Sequence, residues 1–388
     1  MARVVHPGRR PSRRTLVALV SALLAATLTC CGSSTSATST PTPSPSCSQA
    51  DVLDTWSIQL LAEQIVVVPV DEGAIGTITS EVAAGAGGVI LFGSAAPADL
   101  PTQLESLVAS APQRIAPFVM TDEEGGDVQR MANIVGSIPS AREMGATMSP
   151  AEIRALAEAA AMRMRAAGVT MDLAPVLDTD NGPGPNNSDA DGTRSFSNDP
   201  AVASSDGRAF ASGLEAGGVV PVVKHFPGLG HATGNTDVTP AATLSWSDLQ
   251  TDGLIPFRDA VAAHLPVVMV SNAMVPGLSA IPASVSPAAI GMVLRGQMGF
   301  HGLVITDSLS ASALQAAGYS VPQAAVAALV SGADMVLFSA QAAQVAALTS
   351  NTVNAITSAV DSGTIAKSRL VDAAGHVLEV KGVNLCAK

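Results

Sequence analysis

Aromatic side chains are the scarcest class in this 388-residue chain, at 3%, with one Tyr and two Trp. A long groove paved with aromatic rings is therefore excluded. Cations are also few: 20 Lys and Arg stand against 32 Asp and Glu, for a formal net charge of -12. No basic patch appears beyond the N-terminus, so nothing attracts a nucleic-acid backbone and no nucleic-acid partner is expected. The six histidines are scattered and form no His-x-x-x-His pair, so a three-ligand metal pattern is missing. There is no Gly-x-Gly-x-x-Gly at the first strand end to hold a dinucleotide, and no Gly-x-Ser-x-Gly nucleophile elbow. No metal or cofactor is expected. The N-terminal apolar run, Leu16 to Leu28, is too short for a confident membrane span.

That run follows Arg9, Arg10, Arg13 and Arg14 and ends in Thr29-Cys30-Cys31-Gly32. A basic region, a short apolar region and a small-residue exit read as an export signal over residues 1–31. Leu28-Thr29-Cys30-Cys31 looks like a bacterial lipobox with Cys31 as the lipidated residue and Cys30 as a second candidate. The chain would then sit on the outer face of the cell membrane, held by a lipid. Residues 32–46 are a Ser/Thr/Pro tether with nothing to bury. The two remaining cysteines, Cys47 and Cys386, stand at the two ends of the apolar-rich region beyond the tether. In an oxidising exported setting they invite one disulfide.

Residues 47–388 are rich in apolar side chains; the chain as a whole is 47% hydrophobic with a mean hydropathy of +0.36. Eight β-branched or apolar runs recur, with Ala-rich helical stretches between them. They are Gln64–Val68, Gly88–Phe92, Pro117–Thr121, Val169–Ala174, Val219–Lys224, Val267–Ser271, Gly302–Thr306 and Asp334–Phe338. Eight strand–helix units predict a (β/α)8 TIM barrel forming a single catalytic domain, with an open doubly wound sheet as the rival. The segment Asp178 to Asp199 is longer and more polar than a usual connection. It predicts a loop folded over one face of the barrel.

In barrel enzymes the C-terminal strand ends converge on one site. Here they carry Asp122, Glu123 and Glu124 with Arg130 beyond; Asp178, with Arg194 later in its loop; Lys224 and His225; and Asp307. The Pro221–Asp237 stretch continues past His225 into a Gly-rich loop with His231, Asn235, Thr236 and Asp237. A Mg²⁺ site built from Asp122, Glu124 and Asp307 is an open alternative. Paired acids in a barrel fit glycoside hydrolysis, in which one carboxylate attacks the anomeric carbon and a proton donor assists the leaving oxygen. Asp307 is the nucleophile candidate; the competing reading makes it a helix N-cap. Asp334, which opens its strand, reads as structural.

These stretches resemble family 3 glycoside hydrolases of the single-domain β-N-acetylglucosaminidase kind, most of all exported actinobacterial lipoproteins. The resemblance is carried by GGVILFG (87–93), DEEGGDVQR (122–130), LAPVLD (173–178), GTRSF (192–196), KHFPGLG (224–230), ITDSLS (305–310) and GADMVLF (332–338). It implies an exo-acting, retaining enzyme with Asp307 as nucleophile. It also implies that Asp122, Arg130, Arg194, Lys224 and His225 bind a terminal N-acetylglucosamine, with muropeptides or other peptidoglycan fragments as substrates. Two departures stand out. The family's usual Asp-Ser-His after KHFPG is Asn235-Thr236-Asp237 here, so the acid/base falls to Asp237 or, from six residues earlier, to His231. Asn272 stands where many relatives carry His, in a position expected to touch substrate. A monomer is expected. The alternatives are a glycan- or muropeptide-binding lipoprotein with little turnover, and a family 3 enzyme with another β-glycoside specificity or another acceptor.

Overall fold

A computed structural model of the chain describes residues 47–387. The export signal, Cys30, Cys31 and the tether lie outside the described residues.

Continuous apolar runs such as VVVPV can be satisfied only when both faces of a strand are covered, which is the situation of a parallel sheet wrapped by helices. Eight such strands form: β1 (Val66–Asp71), β2 (Gly88–Phe92), β3 (Phe118–Thr121), β4 (Met171–Asp172), β5 (Val220–Phe226), β6 (Val267–Val270), β7 (Leu303–Thr306) and β8 (Val336–Leu337). Their order in the sheet is β8-β1-β2-β3-β4-β5-β6-β7, all parallel. Val67 pairs with Gly88, Gly88 with Phe118, Met120 with Met171, Val222 with Val267 and Val267 with Leu303. A bridge between Ile305 and Met335 joins β7 to β8 and brings the ring nearly to closure. The fold is a (β/α)8 barrel; the sequence order of the strands around it rules out the doubly wound rival.

Only β2 keeps both limits of the sequence reading; three of the differences have a clear local reason. Gln64 ends the helix Ile58–Glu63 and spends its side-chain amide on Gly85 O at 2.7 Å, so β1 begins two residues later. The fourth run pairs only at Met171–Asp172, because the chain then turns through Pro175 toward β5. The eighth pairs with β1 only at Val336–Leu337, because Asp334 is held by Arg295 and Arg369 below the strand.

Helices Pro150–Ala166 and Pro200–Ala216 show why Ala-rich segments suit the outer ring. Ser149 and Glu152 form a reciprocal capping box with Pro150 at the first turn, and Asp199 caps the second helix through Ala201 N. The two helices press together through Ala157 and Gly213, where a side chain on Gly213 would run into Arg154 O. Cys47 and Cys386 are joined as a disulfide with a Cα–Cα distance of 5.8 Å. No helix among the described residues is long and apolar enough to cross a membrane.

Candidate active site

The C-terminal strand ends surround a cavity of about 370 Å³. Its floor is apolar, made by Ile90, Leu173, Met269 and Leu337 from alternate strands β2, β4, β6 and β8 and the residues just after them. Its walls carry Asp122, Glu124, Arg130, Arg194, Lys224, His225, Asp237 and Asp307. Most of the strand-end residues singled out in the sequence therefore meet in one place.

Consecutive residues of a regular strand point to opposite faces, yet Lys224 and His225 both line the cavity. The pairing of β5 with β6 slips between Val223 and Phe226, and this irregularity lets both reach inward. Past Phe226 the loop turns at Gly228, whose φ is 127°, and presses Gly230 against Thr179 O, where a Cβ would collide. The turn after β3 likewise uses Gly125 and Gly126 at positive φ. It builds a small hairpin (Glu123–Gly125 with Val128–Gln129) that sends Glu124 into the cavity.

The floor-side charges form one interlocked set. Lys224 Nζ lies 2.6 Å from Glu124 Oε1 and 2.9 Å from Asp122 Oδ1. Arg194 grips Glu124 through Nε and Nη2, both at 2.8 Å. Arg130 Nη2 stands 3.7 Å from Asp122 Oδ2, with its guanidinium 5.8 Å from the centre of the Phe92 ring. Burial would raise the Glu124 carboxyl, but the Arg194 and Lys224 charges overcome it and hold it well below the usual carboxylate range. Burial would lower Lys224, and Asp122 and Glu124 raise it instead. Glu124 and Lys224 are both charged.

His225 is different. Burial first, and then the Arg194 charge, push it down to about 4, so the ring is neutral near pH 7. Its tautomer follows from its neighbours. Nδ1 faces Asp178 Oδ2 at 2.6 Å and donates to it, which leaves Nε2 to accept from Arg194 Nη2 at 3.3 Å. Asp178 also accepts from His225 N and Leu229 N, at 3.0 and 2.6 Å. These donors work against burial, which pushes Asp178 up to about 7.

Asp307 and Asp237 both line the cavity. Burial raises Asp307, His225 opposes this, and the charge of Asp237 raises it further; Ser308 N donates to Oδ1 at 2.6 Å. Asp237 keeps part of its surface open to solvent, yet the surrounding protein raises its pKa too, with Arg194 opposing and Asp122 adding to the rise. Asp307 is no N-cap: the helix after it, Ser312–Ala316, starts beyond Ala311.

Two candidate residues lie elsewhere. His231 does not line the cavity; its Nδ1 stands 3.4 Å from Asp180 Oδ1, with the side chain 35% exposed. Asn272 is fully buried and turns its amide away: Nδ2 donates to Ser308 O at 2.8 Å and Oδ1 accepts from Ser284 Oγ at 2.6 Å. With both ends of the amide engaged, it backs the Asp307 loop rather than facing the cavity.

A Mg²⁺ site from Asp122, Glu124 and Asp307 does not fit, because Lys224 and Arg194 already engage the first two carboxylates. Asp178, Asp191 and His225 offer ligand atoms within 4.8 Å of one another. There Asp178 and His225 are spent on each other, and Arg194 Nη1 stands 3.9 Å from Asp191. Glu124 was missed as a residue that fixes the cations, although its place two residues after Asp122 in DEEGG was a usable signal. Asp191 was missed altogether; nothing in its neighbourhood marks it as buried.

Comparison with known proteins places this geometry. The pattern of the glycosyl hydrolase family 3 N terminal domain matches residues 71–380. The beta-hexosaminidase LpqI of Mycobacterium tuberculosis is 38% identical over 226 residues, which is 57% of this chain and 58% of that protein. The chain thus spans less than two thirds of the length of that curated relative. Among solved structures, a family 3 glycosyl hydrolase from Mycobacterium smegmatis is 34% identical with a TM-score of 0.76, covering 86% of this chain and 98% of that one. A beta-N-acetylhexosaminidase from Beutenbergia cavernae is 31% identical with a TM-score of 0.76, covering 84% and 99%. With 310 residues matched in sequence and the barrel matched in three dimensions, the chain belongs to glycosyl hydrolase family 3.

Proposed function

We propose that the protein is an exo-acting, retaining β-N-acetylglucosaminidase that removes non-reducing terminal N-acetylglucosamine from peptidoglycan fragments. The observation that carries this reading is the pair Asp307 and Asp237, two carboxyl groups that line one cavity and are both raised by burial, with the charge of Asp237 raising Asp307 further. Asp307 attacks the anomeric carbon while Asp237 gives its proton to the leaving oxygen. Asp237 then takes a proton from the water that releases the sugar from Asp307. Asp122, Arg130, Arg194, Lys224 and neutral His225 hold the terminal sugar's hydroxyls against the closed floor. The names of the relatives, a beta-hexosaminidase and a beta-N-acetylhexosaminidase, support the choice of sugar.

The test is hydrolysis of 4-nitrophenyl β-N-acetylglucosaminide by the purified protein and its variants. Asp307→Ala should fall to background. Asp237→Ala should lose about 10²–10⁴-fold, the usual worth of a general acid, and recover when azide is added. His231→Ala should stay near wild type. A wild-type protein that binds muropeptides without turnover would replace this reading with that of a binding protein.

We also propose export and lipid attachment at Cys31. Labelling with a radioactive fatty acid should persist in Cys30→Ser and vanish in Cys31→Ser; the reverse pattern would move the anchor to Cys30.

A further inference from the structure

Three serines beside Asp307 are not used by this chemistry. Ser308 and Ser310 follow β7, Ser339 follows β8, and all three line the cavity next to Asp307. Ser308 Oγ lies 3.0 Å from Ser310 Oγ, which lies 2.9 Å from Ser339 Oγ; the remaining pair, Ser308 to Ser339, is 3.5 Å apart. Ser339 N donates to Ser310 Oγ at 2.8 Å and to Ser308 Oγ at 3.2 Å.

Each hydroxyl has one proton to give and two lone pairs to accept. The two short pairs use two of the three protons. The third proton has only the 3.5 Å contact, at the limit of a hydrogen bond. The ladder therefore has one donor, and lone pairs besides, to offer a polar ligand in the cavity. It carries no charge, which suits a sugar hydroxyl and gives no preference for an anion.

Position says which sugar. Glu124, Lys224 and His225 are buried deep in the cavity, whereas Ser339 is exposed and Ser308 and Ser310 are half-buried. The segment just past Ser310 is stitched to the loop that carries Asp237: Ser312 N donates to Asp237 O at 3.2 Å and Ala313 N to Thr236 O at 3.1 Å. The acid that protonates a leaving oxygen must stand beside the leaving group. We propose that Ser310 and Ser339, braced by Ser308, bind a hydroxyl of a second pyranose in the leaving-group position, and so favour saccharide over simple aryl leaving groups. This rests on the reading of Asp237 as proton donor.

The experiment compares kcat/KM for a β-1,4-linked N-acetylglucosamine disaccharide with that for the 4-nitrophenyl glycoside, in wild type, Ser310→Ala and Ser339→Ala. Each substitution should lower the disaccharide-to-aryl ratio about three- to tenfold, the worth of one hydrogen bond. An unchanged ratio, whether both substrates slow together or neither slows, overturns the proposal and leaves the ladder as a brace for Asp307. Calorimetry in an Asp307→Asn background reads the same contact without turnover. There the affinity for the disaccharide relative to the monosaccharide should fall by the same factor in Ser339→Ala, and an unaltered ratio again overturns the proposal. A wild type that cleaves neither substrate would defeat the proposed reaction instead, and the calorimetric ratio would still judge the ladder.

Discussion

Burial raises both Asp307 and Asp237, and the charge of Asp237 makes the ionisation of Asp307 harder still. Ser308 N–H donates to the Asp307 carboxyl at 2.6 Å, which favours its ionised form, while no side chain or N–H donates to the Asp237 carboxyl among the described residues. That is the division of labour a retaining glycosidase needs, one ionised group and one protonated group. Both values lie above the ordinary Asp pKa of about 3.9. With Asp307 as nucleophile and Asp237 as proton donor, as proposed above, activity should rise as the nucleophile ionises and fall as the donor loses its proton. A profile of kcat/KM against pH checks this: Asp237→Asn should lower the rate and flatten the descending limb. A descending limb that survives in Asp237→Asn would assign the proton donor to another group. Histidine cannot take that part at position 225, where burial and Arg194 keep the ring neutral. The sequence could place Asp307 and Asp237, since both follow recognisable strand ends. It could not show that Asn272 faces away, because orientation at a strand end depends on the partners its amide finds.

At the scale of elements, β8 is short because its entrance is a charge knot. Asp334 is fully buried and accepts from Arg295, from Arg369 at 2.8 Å and from Val304 N at 2.9 Å, with His376 Nδ1 at 3.1 Å. Burial would raise Asp334, but the hydrogen bond from His376 and the charges of Arg295 and Arg369 leave it lowered; His376 is correspondingly raised, first by Asp334. Asp334→Asn would strip Arg295 of its counter-charge and leave Arg369 with Asp372 alone, and should cost about 3–5 kcal/mol in denaturant unfolding. The signs fix the pH window. The lowered Asp334 contributes fully above about 3.9 and is lost as pH falls through its folded value. The raised His376 contributes fully below about 6.5 and is lost as pH rises through its folded value. The stability gap between wild type and Asp334→Asn should be widest between those limits and narrow at either side. A gap that does not change with pH would mean packing, not charge, holds this end of the barrel. The sequence showed eight apolar runs, and eight strands formed from them. What it hid were limits set by side chains from distant segments: Arg295 and Arg369 for β8, and Gly85 for the start of β1. Such partners have no periodicity to read.

For the whole molecule, the disulfide joins residues 339 apart and so ties the first described helix, Gln49–Asp54, to the last, Lys367–Val380. Lys367 Nζ beside Asp54, 3.2 Å away, and Leu385 N on Gln49 Oε1, 3.3 Å, also cross this seam, and both are exposed or half-exposed. Surface contacts of that kind contribute little on their own. The covalent bond instead restricts an unfolded chain that would otherwise be free over nearly its full length, which stabilises by about 2–5 kcal/mol. Cys47 and Cys386 share a groove with His376, which reaches Asp334 at the entrance of β8. The bond thus lies toward the N-terminal ends of the strands, while Asp307, Lys224 and Asp237 stand at the opposite, C-terminal ends. Cys47→Ser with Cys386→Ser should therefore lower the midpoint of thermal unfolding while leaving kcat/KM on the 4-nitrophenyl glycoside within about twofold, since nothing in the site touches the seam. Reducing the wild type with dithiothreitol should reproduce the shift. An equal loss of activity at a temperature where the variant is still folded would show that this end of the barrel is coupled to the strand ends that carry the chemistry.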